Sequence, residues 1–173
     1  MLFNHPATKE KQRDISAADL ELCRAALSVS RNAYAPYSGF AVGSAVRTKN
    51  GKVYSGANLE NASYGLGICA EVAAISAANS AGDYDIEAIA LSGLTFWPEP
   101  RMDMVATPCG RCRQKIKEAA DISNVDIKVI CCNGDLSDIR VYPISELLPD
   151  AFGPKVLGTG VKWPEMRAAL KKL

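Results

Sequence analysis

The stretch "GLGICAEVAAI", from Gly65 to Ile75, places a cysteine two residues before a glutamate at the start of an alanine-rich segment. Alanine is the strongest helix former, so the sequence predicts a helix from about Cys69 to Ala81 that is closed by Gly82. A cysteine packed in a core needs no acid beside it, whereas a metal-bound water that must lose a proton does. The neighbouring segments must therefore supply both a fold and further metal ligands.

The segments on both sides of this helix alternate between helix and strand patterns. Ser16 followed by Asp19 is an N-cap pattern that opens an amphipathic helix, and Asn50-Gly51 between two apolar runs predicts a β-hairpin. The later segments predict a strand in "IEAIALSGL", a helix in "CGRCRQKIKEAA", strands in "VDIKVICC" and "IRVYPI", and a last helix that begins at Trp163. This order predicts an α/β protein, a three-layer α/β/α sandwich with a mixed sheet of about five strands.

Composition limits the kinds of partner that the chain is expected to have. With 173 residues, 48% of them hydrophobic, we expect a leader over 1–15, one domain over 16–158 and a helical extension over 159–173. A formal net charge of +1 argues against nucleic acid and membrane surfaces as partners. No apolar run approaches the ~20 residues of a membrane span. The polar N-terminal stretch lacks the apolar block of a secretory signal, so we expect a cytoplasmic protein with reduced thiols.

Three of the six cysteines have the spacing of a metal site. Cys109 and Cys112 form a C-x-x-C pair, which is a weak signal alone because structural zinc sites and redox pairs share it. Cys69 and this pair lie at separately predicted helix N-termini, where the helix dipole favours thiolate. Three thiolates would leave the fourth position of a tetrahedral zinc ion to water, as in catalytic sites. The single histidine, His5, lies in the polar N-terminal stretch, so Glu71 is the candidate to take a proton from that water.

Each piece also has a plainer interpretation when it is taken alone. Cys69 would be a small buried residue, and Glu71 would face solvent in a first helical turn, where acids are favoured. The order Cys-Ala-Glu, then Pro-Cys-x-x-Cys, favours the combined functional interpretation. The remaining cysteines are predicted to be buried structural thiols: Cys23, Cys131 and Cys132.

The two cysteine segments resemble the zinc deaminase signature H-x-E followed by P-C-x-x-C, with Cys69 in place of the histidine. The chain is similar to the small tetrameric cytidine deaminases in further segments, namely "YAPYSGFAVGSAV", "GANLENASYGLGICAE", "TPCGRCRQ" and "ELLPDAF". The resemblance covers roughly residues 20–155. It implies hydrolytic deamination of cytidine or deoxycytidine with release of ammonia, one Zn²⁺ per chain and a homotetramer with shared active sites.

The resemblance also implies roles for individual residues. Zinc would be bound by Cys69, Cys109 and Cys112. Glu71 would carry protons, Phe40 would pack against the pyrimidine ring, and the backbone around Ala70 would contact the edge of the base. Asn58 and Glu60 would hold the ribose hydroxyls. The residues that would reach into the site of a neighbouring subunit are Ala62, Tyr64 and Phe152.

Two positions depart from the pattern of the cytidine deaminases. Three thiolates on Zn²⁺ leave a net negative charge, which N–H donors or nearby cations must offset. The family typically has arginine after Cys-Ala-Glu and a small residue between the two later cysteines, whereas this chain has Val72 and Arg111. Arg113 and Arg111 are the alternatives for the missing charge, although Arg111 equally fits a solvent-facing residue. Blasticidin S deaminases share these departures, so blasticidin S or a modified cytosine nucleoside is the alternative substrate.

Two other classes of function stay open at the level of sequence. One is a zinc-stabilised binding module without turnover, and the other is a dithiol redox protein that uses Cys109 and Cys112. Glu71 favours the enzyme because a structural zinc site needs no proton carrier. Cys69 and the ribose-binding motif "NLEN" argue against the redox protein. A long loop that carries Trp97 is expected to shape the mouth of the pocket or an interface.

Overall fold

Five helices and five strands follow one another in this computed structural model, which describes residues 15–159 and 162–173. The helices are α1 Ala17–Ser30, α2 Ala70–Ser80, α3 Gly110–Ser123, α4 Ile144–Leu147 and α5 Trp163–Leu170. The strands are β1 Phe40–Thr48, β2 Val53–Ala57, β3 Ile86–Thr95, β4 Lys128–Cys132 and β5 Ile139–Pro143. His5 and residues 1–14 of the predicted leader lie outside the described residues.

The strands form one mixed sheet in the order β2-β1-β3-β4-β5. Strand β1 is antiparallel to both β2 and β3, β3 is parallel to β4, and β4 is antiparallel to β5. The parallel pair is joined through α3, since parallel strands need a crossover connection. The predicted mixed sheet of five strands is confirmed.

Alternate residues of the central strands face two separate cores. In β3, Ile89 and Leu91 pack with α2 and α3, whereas Ala88 and Ala90 pack with α1. This follows from the two-residue period of a strand. The three-layer α/β/α prediction is therefore confirmed, with α1 on one face and α2 and α3 on the other.

The cysteines that were predicted to be structural are buried in these two cores. Cys131 belongs to the core under α2 and α3, whereas Cys23 and Cys132 belong to the core under α1. All three are fully buried and none forms a disulfide, as expected.

Two glycines set how closely the helices approach the sheet. A Cβ atom on Gly43 would lie 2.0 Å from the carbonyl oxygen of Ala26 in α1. A Cβ atom on Gly56 would lie 2.5 Å from the backbone nitrogen of Ala74 in α2. Only glycine allows this backbone contact, and the contact at Gly56 fixes α2, with its N-terminal residues, against β2.

The ends of the elements agree with the local signals in the sequence. Ser16 and Asp19 form a complete capping box at the start of α1. Gly51 has a φ of 83° in the β1–β2 hairpin, and Gly82 has a φ of 72° after α2. The sequence did not predict the single-turn helix α4 or the 3-10 turn Tyr64–Leu66.

The last helix, α5, begins at Trp163 as predicted and docks through aromatic contacts. The Trp163 ring meets the Tyr84 ring edge-on at 5.8 Å between centroids, and the Arg167 guanidinium lies 4.3 Å from the centroid of the Tyr84 ring. Both interactions attach α5 to the loop between α2 and β3. Within the part of the chain that the structure describes, no helix has the length and apolar character needed to cross a membrane.

Candidate metal centre and active site

Three cysteines lie at the N-terminal ends of two helices. Cys69 is the residue before α2, and Cys109 is the residue before α3; both have extended backbones, with ψ of 151° and 167°. Cys112 lies in the first turn of α3 and is fully buried. The unpaired N–H groups at a helix start and the positive end of its dipole favour a thiolate there. The prediction that both segments open helices is confirmed.

The three sulfur atoms lie close enough together to share one metal ion. Their Sγ atoms are all within 4.8 Å of one another, and those of Cys109 and Cys112 are 3.5 Å apart. Sulfurs that each bind zinc at ~2.3 Å in a tetrahedron lie about 3.8 Å apart. The spacing and the soft donor set therefore fit zinc.

The thiols differ in their tendency to ionise. A hydrogen bond with the Cys112 thiol lowers the pKa of Cys69 to about 6, against the opposing effects of burial and of Glu71. The same hydrogen bond and burial raise the pKa of Cys112. Cys69 thus ionises before Cys112, and binding of a metal removes the protons from all thiols that coordinate it.

Glu71 is a buried carboxyl group in the first turn of α2, with an exposed fraction of 4%. Burial raises its pKa, and hydrogen bonds with the backbone N–H of Glu71 and with Cys112 only partly offset that effect. A buried carboxyl next to a metal site can hold a proton and release it during a reaction. The solvent-facing alternative for Glu71 is therefore wrong.

The two arginines near the thiols have different environments. Arg113 donates through Nε to the carbonyl of Pro108 at 2.9 Å and through Nη1 to the carbonyl of Leu147 at 3.0 Å. Its guanidinium therefore joins α3 to the end of α4. Arg111 is exposed, places Nη1 3.4 Å from the carbonyl oxygen of Gly67, and lowers the pKa of Cys69 through its charge.

Phe40, the first residue of β1, packs its ring over a glycine of β3. A Cβ atom on Gly93 would lie 2.6 Å from Cζ of Phe40, so a larger residue there would displace the ring. Ala106, from the loop before Cys109, lies on the same side of Gly93. The half-buried Phe40 ring thus forms an apolar wall near the loop that precedes Cys109 and Cys112.

Asn58 and Glu60 bind the backbone on either side of Phe40. The Asn58 side chain accepts from the N–H of Val42 at 2.8 Å and donates to the carbonyl of Phe40 at 3.0 Å. The Glu60 carboxylate accepts from the N–H of Tyr37 at 2.9 Å. Hydrogen bonds therefore hold the residues that were expected to contact the ribose next to the backbone of Phe40.

The other predicted contact residues have very different exposures. Ala70, the first residue of α2, is fully buried, whereas Ala62 is exposed. Tyr64 is 80% exposed and its ring lies edge-on against Tyr37, with centroids 5.9 Å apart. Phe152 is 60% exposed. Tyr64 and Glu60 line one open cavity of about 360 Å³, together with Tyr37, Ser38, Asn61 and Gly67.

Sequence reasoning missed two polar residues that support these positions. Ser38 donates to the Glu60 carboxylate at 2.5 Å, and Gln114 donates to the carbonyl of Phe152 at 2.8 Å. Both residues lie inside segments that resemble the cytidine deaminases, "YAPYSGF" and "TPCGRCRQ". Their partners are 22 and 38 residues distant in sequence, so local patterns give no signal for either bond.

Comparison with known proteins agrees with this site and fold. Residues 16–129 match the model of the cytidine and deoxycytidylate deaminase zinc-binding region. The chain is 45% identical over 133 residues to a cytidine deaminase of Halalkalibacterium halodurans, which covers 76% of this chain and 91% of that protein. A cytidine deaminase of Mycobacterium tuberculosis is 39% identical over 129 residues, covering 74% of this chain and 84% of the relative.

Solved structures lead to the same family. The crystal structure of cytidine deaminase from Burkholderia pseudomallei superposes with a TM-score of 0.67 and 38% identity, over 80% of this chain and 100% of that chain. A three-layer α/β/α sandwich with a thiol cluster and a buried glutamate defines a zinc-dependent deaminase. The chain belongs to the cytidine and deoxycytidylate deaminase family, and zinc is its cofactor.

Proposed function

We propose that this enzyme hydrolyses cytidine and deoxycytidine to uridine and deoxyuridine, with release of ammonia. The observation that carries the proposal is the buried Glu71 carboxyl beside the three clustered thiols. A redox pair would need only Cys109 and Cys112, and a closed structural zinc site would need no proton carrier. The relatives described above are cytidine deaminases, which supports this substrate class.

We assign the metal to Cys69, Cys109 and Cys112, whose sulfur spacing fits one zinc ion. When it is bound there, zinc lowers the pKa of water toward neutrality and so supplies the nucleophile for hydrolysis. Glu71 takes the proton from this water and delivers it to N3 of the cytosine ring. After the water oxygen has bonded to C4, Glu71 takes the second proton, from the hydroxyl now on C4, and passes it to the amine, so that the bond from C4 to the amine breaks, a carbonyl forms at C4 and ammonia leaves.

The binding of the nucleoside follows from the residues around Phe40. The Phe40 ring provides an apolar surface for the pyrimidine. Asn58 and Glu60 provide hydrogen-bonding groups for neutral sugar hydroxyls, and the negative charge of Glu60 disfavours a phosphate there. The backbone at Ala70, at the start of α2, contacts the base edge.

We also propose a homotetramer in which Ala62, Tyr64 and Phe152 contact the active site of a neighbouring copy. One group of exposed apolar side chains lies in residues 34–37 and 59–68, where single β-bridges join Tyr34 to Leu59 and Leu59 to Ile68. Apolar patches of this kind mark interfaces between proteins. The molar mass in solution tests the assembly, and a monomer at working concentration would contradict it. The cytoplasmic location remains our expectation, because cysteines that form no disulfide are typical of reducing compartments.

A panel of substrates tests the reaction and the substrate together. Zinc-loaded protein is expected to convert cytidine and deoxycytidine, with loss of ultraviolet absorbance, and to act on them with a higher kcat/KM than on blasticidin S or free cytosine. A higher kcat/KM on blasticidin S than on cytidine and deoxycytidine would make blasticidin S the preferred substrate. Failure on all cytosine-type substrates would remove the deaminase proposal.

A matched variant tests the proton carrier. Glu71→Gln keeps the size of the side chain but cannot accept a proton, so turnover should fall by at least about a hundredfold. The zinc content should stay near one ion per chain, because Glu71 is not among the proposed ligands. A variant that retains zinc and full activity would exclude Glu71 from the mechanism.

A further inference from the structure

The Ser38 hydroxyl lies between two residues of the proposed nucleoside site. It donates to Oε1 of Glu60 at 2.5 Å and accepts from the N–H of Phe40 at 3.1 Å. A hydroxyl can make both bonds at once because it has one donor hydrogen and two acceptor lone pairs. The side chain of Glu60 and the first residue of β1 are thereby held at a fixed separation.

Further hydrogen bonds complete this network on both sides. Oε2 of Glu60 accepts from the backbone N–H groups of Tyr37 and Ser38, at 2.9 and 3.3 Å. On the other side, the Asn58 amide donates to the carbonyl of Phe40 at 3.0 Å. The backbone of Phe40 is thus held through its N–H by Ser38 and through its carbonyl by Asn58.

We propose that Ser38 is a positioning residue for nucleoside binding, which orients the Glu60 carboxylate toward a sugar hydroxyl beside the Phe40 ring. This inference rests on the proposed function. A carboxylate has about four lone-pair sites, and Ser38 and Tyr37 provide donors for three of them. The remaining site is fixed in direction and accepts one hydroxyl of the substrate.

Removal of the hydroxyl should therefore weaken binding of the sugar and leave the chemical step intact. Ser38→Ala is expected to raise KM for cytidine about fivefold to tenfold, within the range for the loss of one ordinary hydrogen bond, with kcat within about twofold. Ser38→Thr keeps the hydroxyl and should restore the wild-type KM. Ser55→Ala, an exposed serine of β2, is the matched control and should leave both constants unchanged.

A probe without a sugar separates positioning from general damage to the fold. Uridine and 1-methyluracil, the product with and without its ribose, are compared as competitive inhibitors of the wild type and of Ser38→Ala. The variant should bind uridine about fivefold to tenfold more weakly and 1-methyluracil equally well. Equal weakening of both inhibitors, or no change for uridine, would overturn the positioning role. A wild type without activity on cytidine would instead remove the proposed function and this inference with it.

Discussion

At the scale of single residues, the electrostatics of the thiol cluster depends on which arginine faces it. Val72 cannot donate a hydrogen bond or carry a charge, so the charge of three thiolates must be offset by other groups. Arg113 is held by two backbone carbonyls at the ends of α3 and α4. Arg111 acts favourably on Cys69 through its charge and is therefore the cation that replaces the missing arginine in our interpretation.

The first prediction concerns Arg111→Gln. Loss of the charge should weaken zinc binding about twofold to fivefold, because an exposed charge interacts only modestly with a neighbouring site. The dissociation constant of zinc, measured by competition with a chromophoric chelator, checks this effect. The difference should shrink at high salt, since exposed charges are screened.

Arg24→Gln is the matched control, because Arg24 is also an exposed arginine and pairs with Glu21 on α1. Its zinc affinity should equal that of the wild type. If Arg111→Gln gives the same affinity as this control, Arg111 is only a solvent-facing residue, the alternative that the sequence left open.

The residues that carry the chemistry of the site were predictable from sequence, whereas the hydrogen bonds that hold the substrate-binding residues in place were not. Cys69 and Glu71 are two residues apart at a helix start, so their shared location follows from local geometry. Ser38 and Glu60 meet across 22 residues of sequence. Such a bond depends on how the chain turns before β1 and after β2, which no local pattern records.

At the scale of elements, α3 holds the chain segment that carries Phe152. Gln114 donates to the carbonyl of Phe152, and Asp121, whose side chain is 5% exposed, pairs with Lys117 at 2.6 Å and with Lys155 at 3.5 Å. A Cβ atom on Gly153 would lie 2.4 Å from Oδ2 of Asp121. The helix that begins at two of the thiols therefore also fixes the position of Phe152.

The second prediction concerns Gln114→Ala. Without the amide, the carbonyl of Phe152 loses its donor and the side chain loses a fixed position, so kcat/KM for cytidine should fall about threefold to tenfold if Phe152 contacts a neighbouring site. Steady-state kinetics measures the change. Lys115→Ala, an exposed residue next in sequence on α3, is the control. Equal kinetics for the two variants would show that this hydrogen bond does not support catalysis.

The elements themselves were largely predictable because their signals are local. A capping box at Ser16, a turn at Asn50-Gly51 and a glycine after α2 each act within a few residues. The single-turn helix α4 was missed because four residues are too few to show a helical period. The 3-10 turn Tyr64–Leu66 was missed for the same reason.

At the scale of the whole molecule, one buried carboxylate ties three elements together. Asp19, at the start of α1, is fully buried and pairs with Arg47 of β1 and Lys128 of β4, each at 3.0 Å. Arg47 also pairs with Glu87 of β3 at 2.6 Å. The network therefore crosses the central strands on the face that α1 covers.

The same groups set the ionisation of Asp19. Burial raises its pKa, but hydrogen bonds from Lys128, Arg47 and Ser16 outweigh burial and bring it down to about 2. A pKa that is lower in the folded than in the unfolded chain makes ionised Asp19 stabilising. That contribution is complete above the unfolded value of about 3.9 and is lost as the pH falls through the folded value.

The last prediction is that Asp19→Asn lowers the free energy of unfolding by about 2 to 3 kcal/mol at pH 7, because Arg47 and Lys128 lose the charge of their shared partner, while Arg47 keeps Glu87 and Lys128 stays partly exposed. Denaturant unfolding of the metal-free wild type and variant measures it, because acid releases zinc from thiolate ligands. The difference in the free energy of unfolding between wild type and variant should be about 2 kcal/mol smaller at pH 2 than at pH 5, since acid neutralises the same carboxylate in the wild type. Asp103→Asn, which disrupts only the exposed pair with Arg101, should change stability by less than about 1 kcal/mol. If the two proteins differ in the free energy of unfolding by the same amount at both pH values, Asp19 stabilises the fold through its shape and hydrogen bonds, and its charge contributes nothing.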